Sequence, residues 1–319
     1  VQSTLSQNSP QDSLAEIKDE LEESPEVEEV YYNYLRAGAA RGRDPLFRQQ
    51  YGLKKPGFPT AWKRQGRGMK VAVVDSGVAV NHRDIKGKVA AKYDFHNDNR
   101  TVEDLNGHGT HIAGIIGAKT RNGVGVASGC PRCRIIAAKA LDKNLNGFDS
   151  DIARAINWSV NRGAKVVNLS LGSDGGPKSV MKRSIDYANR KGAVVVAAGG
   201  NYGDGRRVWP AVYKNVISVS YTDRRDRRSQ NSSYGRWIDV AAPGVEIIST
   251  VPGGYQRRSG SSFSAPHVSA LAGILYGQGR GRKAVIRRIK ATATDIGPRG
   301  KDAYYGHGRI NAAKASRGG

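Results

Sequence analysis

Short apolar runs alternate with amphipathic segments along the chain from about residue 69 onward. The apolar runs are rich in Val, Ile and Ala and predict buried strands at MKVAVVD, CRIIAAKAL, AKVVNLSL, AVVVAAGG and VISVSYT. Segments with helical spacing lie between or after them, namely HGTHIAGIIGA, SDIARAINWSVNRG, SVMKRSIDYANRKG and SSFSAPHVSALAGILYG, and the last helix begins near Lys283. Continuous apolar strands separated by helices predict an α/β fold with a mainly parallel sheet, covered on both faces.

The N-terminal part of the chain has a different pattern. Ser13 can cap the helical segment SLAEIKDELEE, the Ser24-Pro25 pair ends it, and VEEVYYNYL is rich in strand-forming residues. Residues 37–43, AGAARGR, are small or basic and are typical of a linker or a processing site. We therefore expect an N-terminal segment 1–36, a linker 37–43 and a large domain 44–319.

Charge divides the chain in the same place. The 319 residues contain 51 Lys and Arg against 28 Asp and Glu, a net charge of +23. Residues 1–36 hold nine acids and two bases, a net of −7, so the rest of the chain carries +30. Nucleic-acid binding is one interpretation, but the basic residues are scattered and no nucleic-acid-binding motif is present. We favour a soluble, highly charged surface without a specific nucleic-acid partner, and no run approaches the roughly 18 apolar residues of a membrane span.

The two cysteines of the chain, Cys130 and Cys133, form the motif SGCPRCR. Such a pair is compatible with half a zinc site, a redox pair or a local disulfide. The histidines provide no second cluster with zinc-ligand spacing, and no thioredoxin-like βαβ pattern surrounds the motif. We favour a small structural disulfide in an exported protein.

Four polar residues stand at the ends of predicted elements, where parallel α/β sheets carry functional groups. Asp75 follows a strand in VAVVDSG, His108 begins a helix in NGHGTHIAG, Ser262 begins another helix, and Asn201 follows AVVVAAGG. Each of them alone is more often a turn or capping residue. Together they supply an acid, an imidazole, a hydroxyl and a carboxamide, which is the set needed for acyl transfer.

The motifs VAVVDSG, NGHGTHIAG and GSSFSAPHVSA, in the order Asp…His…Ser, resemble those of subtilisin-family serine proteases. AAGGN, NLSLG and YGHGRINAAKA add to the resemblance, which runs from about Asp44 to Ala315 and is strongest to the thermitase-like branch. It implies a subtilisin-like three-layer α/β/α fold and a serine endopeptidase. It also implies that Ser262 is the nucleophile, His108 the general base, Asp75 its orienting acid and Asn201 the oxyanion donor.

The resemblance extends to the substrate pocket. It implies one wall at Ser170, Leu171 and Gly172 and another at Ala198, Gly199 and Gly200, with a broad preference for large apolar side chains. Two motif histidines, His111 and His267, are expected to be structural. The chain departs from the family pattern at Ser261 (usually Thr), Phe263 (usually Met) and Gly199 (often Ala), and none of these changes removes a catalytic atom.

Calcium is the ion that the resemblance implies, because hard oxygen ligands suit Ca²⁺. A strong site would take side-chain oxygens from Asp44, Asp84 and Asn122 and backbone carbonyls from Lys119, Val124 and Val126. A second, weaker site would use DFHNDNRTVED, where Asp94 and Thr101 match the family, but Asn97 and Asn99 stand where acids are expected.

The segment SPEVEEVYYNYLRAGA resembles the end of an inhibitory propeptide, with only part of that unit present. The alternative for this segment is a disordered acidic leader. We therefore expect a secreted, monomeric endopeptidase that is made as a self-processing zymogen and cuts itself between Leu35 and Arg43. A non-catalytic polyanion-binding protein on the same fold is the main alternative, and a processing protease with a narrow substrate is another.

Overall fold

The computed structural model describes residues 44–318 and the single position 21. The predicted segment 1–36, apart from Leu21, and the linker 37–43 therefore lie outside the described residues. Within the described part, a seven-stranded, wholly parallel sheet has the order β2-β3-β1-β4-β5-β6-β7, and a separate antiparallel hairpin is formed by β8 and β9. The strands are β1 Lys70–Asp75, β2 Val89–Asp94, β3 Arg134–Lys139, β4 Ala164–Leu169, β5 Val194–Ala198, β6 Val216–Thr222, β7 Val240–Pro243, β8 Ile247–Val251 and β9 Gly254–Arg258.

Helices cover both faces of this sheet, which confirms the predicted fold class. They are a 3₁₀ helix at Pro45–Gln49 and α1 Tyr51–Lys54, α2 Phe58–Trp62, α3 His108–Gly117, α4 Asp149–Asn161, α5 Ser179–Arg190, α6 Ser261–Gly277, α7 Arg282–Ala291 and α8 Ala312–Ala315. The predicted last helix corresponds to α7, and the short α8 follows it. Among the described residues, no helix combines the length and the apolar character needed to cross a bilayer.

Alternate residues of each central strand pack into different cores. Val71 and Val73 of β1 join the core that contains α3 and α6, whereas Ala72 and Val74 join the core that contains α4 and α5. Because successive side chains point to opposite faces of a sheet, both sets must be apolar when both faces are covered. This double burial explains the uninterrupted apolar runs in the sequence.

Strands β2, β7, β8 and β9 were not among the predicted strands. The edge strand β2 is mostly half-buried or exposed and does not read as a continuous apolar run. Strand β7 has only four residues, and β9, GYQRR, is polar and lies outside the main sheet. These strands depend on their neighbours rather than on a local pattern.

The order of the strands creates a crevice beside β1. The chain runs from β1 to β2 and β3 on one side, and β4 lies on the other side of β1. Loops that leave β1 and β4 therefore diverge at the carboxyl end of the sheet, where such folds hold their functional groups. Asp75 ends β1, and Ser170 directly follows β4.

The predicted disulfide is present. Cys130 and Cys133 are bonded, their Cα atoms are 5.3 Å apart, and both residues are fully buried. The bond packs under α6 at Gly273, where an added β-carbon would lie 2.7 Å from the Cys133 Sγ atom. Because both sulfur atoms are used in this bond, neither cysteine is a thiolate that could bind zinc, and the zinc interpretation is not supported.

Candidate active site

Asp75 and His108 are joined directly at the carboxyl end of β1. His108 Nδ1 donates to Asp75 Oδ1 at 2.7 Å, and the Ser76 amide donates to the same oxygen at 2.8 Å. Asp75 is only 1% exposed, and its Oδ2 atom is buried without a hydrogen-bond partner in the described part of the chain. Because Nδ1 carries the proton in this pair, Nε2 of a neutral His108 is available as a base.

A second buried acid, Asp104, holds the beginning of α3. Its Oδ1 accepts from the Ser76 hydroxyl and the Gly107 amide, both at 2.8 Å, and its Oδ2 accepts from the amide and hydroxyl of Thr110 at 2.7 and 2.6 Å. These bonds satisfy amide groups that a helix N-terminus leaves free. Asp104 thereby orients the turn that carries His108, and the sequence interpretation did not include it.

Ser262 lies in the first turn of α6 and faces the end of β4. Its hydroxyl donates to the Ser170 carbonyl at 3.0 Å, and no hydrogen bond joins it to His108 in this structure. The Ser170 hydroxyl in turn donates to the Ser262 carbonyl at 2.7 Å. The Ser262 hydroxyl would have to rotate to form a hydrogen bond with His108, and such contacts commonly tighten only when substrate is bound.

A buried hydrogen-bond network fixes this pair of serines. Asn168, a fully buried residue of β4, donates to the Ser170 hydroxyl at 2.9 Å and accepts from the Ser269 hydroxyl at 2.8 Å. Ser269 lies two turns along α6 from Ser262. Strand β4 and helix α6 are thus held in register beside Ser262. Asn168 belongs to the NLSLG motif, but its bond to Ser269 becomes visible only in the folded chain.

Asn201 is oriented by the residue before Ser262. Its side-chain oxygen accepts from the amide and the hydroxyl of Ser261 at 2.8 and 2.9 Å, so its NH₂ group is left to act as a donor. Ser261 also accepts the Gly200 amide at 3.1 Å, and the hydroxyl of a Thr could make the same bonds. Gly260 has φ 145°, which favours glycine, and an added β-carbon there would lie 3.5 Å from the Asn201 amide.

A cleft of about 330 Å³ joins most of the predicted site residues. His108, Asn201 and Ser262 line it together with Ser170, Leu171, Gly172, Ala198 and Gly200. Gly199 does not line it, because its amide donates to the Val219 carbonyl and it packs against Ile238 behind the wall. The sequence interpretation missed the remaining lining residues, which are Leu141, Leu145, Tyr202, Val208 and Ser261.

The other two motif histidines are buried beside Phe263. His111 Nε2 contacts the Gln256 carbonyl at 3.0 Å, and His267 Nδ1 contacts the Phe263 carbonyl at 2.9 Å. Burial lowers the pKa of His111 to about 3 and the pKa of His267 to about 4. Phe263 packs against the rings of both His108 and His111, with centroids 5.4 and 4.7 Å apart.

The side chains of the predicted strong calcium site also meet. Asp44 accepts the amides of Arg121 and Asn122 at 2.9 and 3.0 Å, and Asp84 Oδ1 accepts from the Asn122 side chain at 2.8 Å. Asp84 Oδ2 accepts from Tyr255 and from the Val126 amide, both at 3.0 Å. Both acids are buried, at 3% and 0% exposure.

The side-chain oxygen atoms of Asp44, Asp84 and Asn122 are of the kind that binds a divalent cation. Burial raises the pKa of Asp44, and the charge of Asp84 raises it further. No Lys, Arg or His side chain forms an ion pair with either acid among residues 44–318. The amide of Lys119 donates to the Asp84 carbonyl at 2.8 Å and that of Val124 to the Asn122 side-chain oxygen at 3.1 Å, so the loop with the predicted carbonyl ligands folds around the acids.

The predicted weaker site differs in its charge balance. Asp94 accepts the amides of His96 and Asn97 at 2.9 and 3.0 Å, and its Oδ2 lies 3.7 Å from Lys139 Nζ. Thr101 is exposed, and its amide donates to the Asn99 side chain. The Lys139 ammonium already offsets Asp94, whereas the other buried carboxylate of this segment, Asp104, accepts from Ser76, Gly107 and Thr110.

Comparisons with known proteins agree with this geometry. Residues 66–308 match the model of the subtilase family. The chain is 42% identical over 299 residues to a thermophilic serine proteinase of Bacillus sp. (strain AK1), covering 92% of this chain and 74% of that protein. It is 43% identical over 275 residues to thermitase of Thermoactinomyces vulgaris, covering 85% of this chain and 98% of thermitase.

A solved structure supports the same assignment. A protease from Pseudoalteromonas arctica PAMC 21717 superposes with a TM-score of 0.80 at 28% identity, over 87% of this chain and 99% of that one. The chain therefore belongs to the subtilase family, within its thermitase-like branch, and is a subtilisin-like serine endopeptidase.

Proposed function

We propose that this endopeptidase cleaves polypeptides through an acyl-enzyme on Ser262, with His108 as general base and acid, Asp75 as its orienting carboxylate and Asn201 as oxyanion donor. The observation that carries this proposal is the 2.7 Å bond from His108 to Asp75 beside a cleft that also contains Ser262 and Asn201. A carboxylate, an imidazole, a hydroxyl and a free amide donor in one crevice are what acyl transfer needs.

The proton transfers follow from this arrangement. After rotation away from Ser170, the Ser262 hydroxyl gives its proton to His108 Nε2 while Oγ attacks the scissile carbonyl carbon. Asp75 stabilises the imidazolium that forms. His108 then donates the proton to the leaving amine, the C–N bond breaks, and an ester on Ser262 remains. Water attacks this ester with His108 again as base, which releases the acid product and restores Ser262.

The negative charge on the carbonyl oxygen needs fixed donors. Because Ser261 holds the side-chain oxygen of Asn201, the Asn201 NH₂ group is positioned to donate to that charge. The Ser262 amide at the beginning of α6 is the second proposed donor, and the helix N-terminus adds a favourable dipole. Preorganised donors of this kind contribute about 3 kcal/mol each to transition-state stabilisation.

The cleft favours large apolar side chains before the scissile bond. Its walls combine glycines with Leu141, Leu145, Leu171, Ala198 and Val208, and no acidic or basic side chain other than His108 lines it among the described residues. A pocket whose walls are apolar and uncharged selects side chains by size and hydrophobicity rather than by charge. Substrate specificity is therefore proposed to be broad.

A structural calcium ion is part of the proposal. Asp44, Asp84 and Asn122 would hold it through side-chain oxygens, and Lys119, Val124 and Val126 through backbone carbonyls. Bound Ca²⁺ would supply the positive charge that the two buried acids lack within the described chain and would tie the segment around Asp44 to the loop after α3.

Secretion and zymogen processing complete the proposal. The buried disulfide is typical of an oxidising compartment. The −7 segment 1–36 is proposed to be part of an inhibitory propeptide of the +28 domain 44–319, with cleavage between Leu35 and Arg43. The mature enzyme is proposed to be monomeric, without a specific nucleic-acid or membrane partner.

Hydrolysis of a peptide anilide tests the catalytic assignment. We expect activity that a serine-directed sulfonyl fluoride abolishes, with one label per chain on Ser262 found by mass spectrometry. Ser262→Ala should lose both the activity and the label, whereas Ser264→Ala, another serine of the same helix, should keep the label. Inhibitor-insensitive hydrolysis would refute the mechanism, and a folded protein without hydrolysis would favour the polyanion-binding alternative.

Mass spectrometry of the purified chain tests the processing. A new N-terminus between Leu35 and Arg43 is expected in the wild type and not in Ser262→Ala. Equally fast cleavage of the Ser262→Ala protein would show that another protease acts there.

A further inference from the structure

A second groove begins at Gly107, the residue before His108. It has a volume of about 870 Å³, and its lining includes Asn106, Gly107, Gln256 and Arg258. The cleft and this groove share none of their lining residues, and His108 in the cleft adjoins Gly107 in the groove. A chain bound across Ser262 and His108 can therefore occupy both.

Arg258 places a positive charge at the end of this groove nearest to His108. Its Nη2 atom donates to the Asn106 carbonyl at 3.1 Å, and its Nε donates to the Gln256 side chain at 2.8 Å. A β-carbon on Gly107 would lie 3.2 Å from Arg258 Nη2. Both acceptors are neutral, so neither of these bonds pairs the guanidinium with a carboxylate.

The guanidinium has hydrogen-bond capacity left over. Arginine offers five N–H donors, and Nη1 of Arg258 makes no hydrogen bond to any of the residues 44–318. No carboxylate forms an ion pair with it in that part of the chain. Asp104 also lines the groove, but its oxygens are taken by Ser76, Gly107 and Thr110.

Two other charged residues line the groove, and they are of opposite sign. Lys92 and Glu103 are both exposed, so water screens them, whereas Arg258 is half-buried. Burial lowers the pKa of Arg258, and the negative charges of Asp104 and Asp75 oppose that shift. Arg258 is therefore the charge that a bound group close to His108 would meet.

The proposed reaction determines which part of a substrate enters the groove. The side chain before the scissile bond lies in the cleft of Ser170 and Gly200, and the carbonyl oxygen points to Asn201. His108 donates its proton to the leaving amine, so the residues that follow the scissile bond extend from His108 past Gly107.

We infer that Arg258 is a specificity-determining residue that favours Asp or Glu within the first two residues after the scissile bond. A substrate carboxylate would accept hydrogen bonds from the free donors of a guanidinium that is already oriented, and a lysine there would be repelled. This inference rests on the proposed function, since it uses the position of the leaving amine at His108.

Quenched fluorescent peptides test the inference. The peptides are identical except for Glu, Gln or Lys at one of the two positions after the scissile bond. For at least one position, we expect kcat/KM to be about fivefold higher with Glu than with Gln, because a charge-assisted hydrogen bond to a partly exposed arginine has about this strength. With Lys at that position, kcat/KM should be lower than with Gln. In Arg258→Gln, the Glu-to-Gln ratio should fall to about one, and Arg258→Lys should keep part of the preference.

Arg257→Gln is the matched control. Arg257 is the neighbouring residue of β9, it bonds to Gln49 and Glu246, and it does not line the groove, so its variant should keep the wild-type ratio. Should Arg258→Gln fail to fold, raising NaCl to about 0.5 M must still lower the wild-type ratio, because salt screens exposed charges.

Failure of the inference and of the proposed function are distinguishable. Absence of peptide and anilide hydrolysis in a folded wild type would refute the proposed function. Normal anilide hydrolysis together with equal rates for the Glu, Gln and Lys peptides at both positions would overturn the inference alone. A preference for Glu that persists in Arg258→Gln would overturn it too.

Discussion

Two pairs of buried acids in residues 44–318 are balanced in different ways. At the candidate active site, Asp75 bonds to the His108 imidazole and Asp104 accepts from Ser76, Gly107 and Thr110. The guanidinium of Arg258 is also close enough that the negative charges of Asp104 and Asp75 act on its pKa. The loop region consists of Asp44, Asp84 and residues 119–126. Among the described residues, its two acids accept only from amides and from a tyrosine hydroxyl. Hydrogen bonds from neutral donors do not cancel two buried negative charges that lie close together.

This difference separates catalysis from stability. The candidate active site contains an imidazole and a guanidinium that can offset its two acids. The loop region contains no such group among the described residues and is proposed to bind a cation, so its contribution to folding should depend on the solution. The experiments below act on one region at a time, and stability is measured in Ser262→Ala variants so that self-digestion does not interfere.

The largest effect is expected from Asp75→Asn. An amide cannot offset the positive charge that His108 gains, so kcat should fall by about 10⁴-fold, as in other Ser-His-Asp enzymes. The melting temperature and its response to calcium should change little, because the loop region is untouched. Steady-state kinetics and calorimetry check both parts, and a loss of calcium dependence would show that the two regions are coupled.

Calcium removal should act on the other region. A site filled at about 1,000 times its Kd contributes about 4 kcal/mol to the free energy of unfolding, which corresponds to a fall in melting temperature of about 10 °C on chelation. Asp84→Asn should melt at the lower temperature with and without Ca²⁺. An equal response to chelator in wild type and Asp84→Asn would locate the ion elsewhere.

Acid should destabilise the region around the buried histidines His111 and His267. His111 and His267 have pKa values of about 3 and about 4 in the folded state, against an ordinary value of 6.5. Below pH 6.5 these two histidines bind protons in the unfolded state but not in the folded state. The free energy of unfolding is therefore highest above that pH and falls as the pH drops toward 4. The two residues should together cost about 3 kcal/mol at pH 5.5.

Urea unfolding at pH 8 and at pH 5.5, with chelator present throughout, measures this loss. Because calcium is absent from both samples, the loop ion cannot cause the difference. His267→Gln should lose about half of the pH dependence. An unchanged slope in this variant would mean that other groups control acid unfolding.

The smallest effect is expected at the second loop. Asp94→Asn removes the charge that offsets the buried Lys139, which keeps its bond to the Glu103 carbonyl, so stability should fall by about 2 kcal/mol with and without Ca²⁺. The difference between calcium-loaded and chelated protein should stay at its wild-type value. Loss of part of that difference would show that Asp94 binds a second ion after all.

The sequence alone was sufficient for the elements that carry the motifs. The strands around Val71–Val74 and Val194–Val196 and the helices at His108 and Ser262 are strongly patterned, because both faces of the sheet are covered and the strands must be apolar throughout. Local signals failed for β2 and β9, whose residues are mostly half-buried or exposed, and for β7, which has only four residues. Strand β8 is buried but was also missed, and it pairs only with β9, outside the main sheet.

The sequence also identified the four polar groups of the candidate active site. Asp75, His108, Ser262 and Asn201 could be proposed from their motifs, because each motif combines a reactive residue with the glycines and small residues that its turn requires. Only the tertiary structure decided how they are held. Asp104, Asn168 and Ser261 act through bonds to Ser76, Ser269 and Asn201, each of which is distant in the chain. Arg258 becomes relevant only because β9 passes beside Gly107. Local patterns report which face of an element is buried, whereas hydrogen bonds and charge balance depend on which elements meet, and only folding determines that.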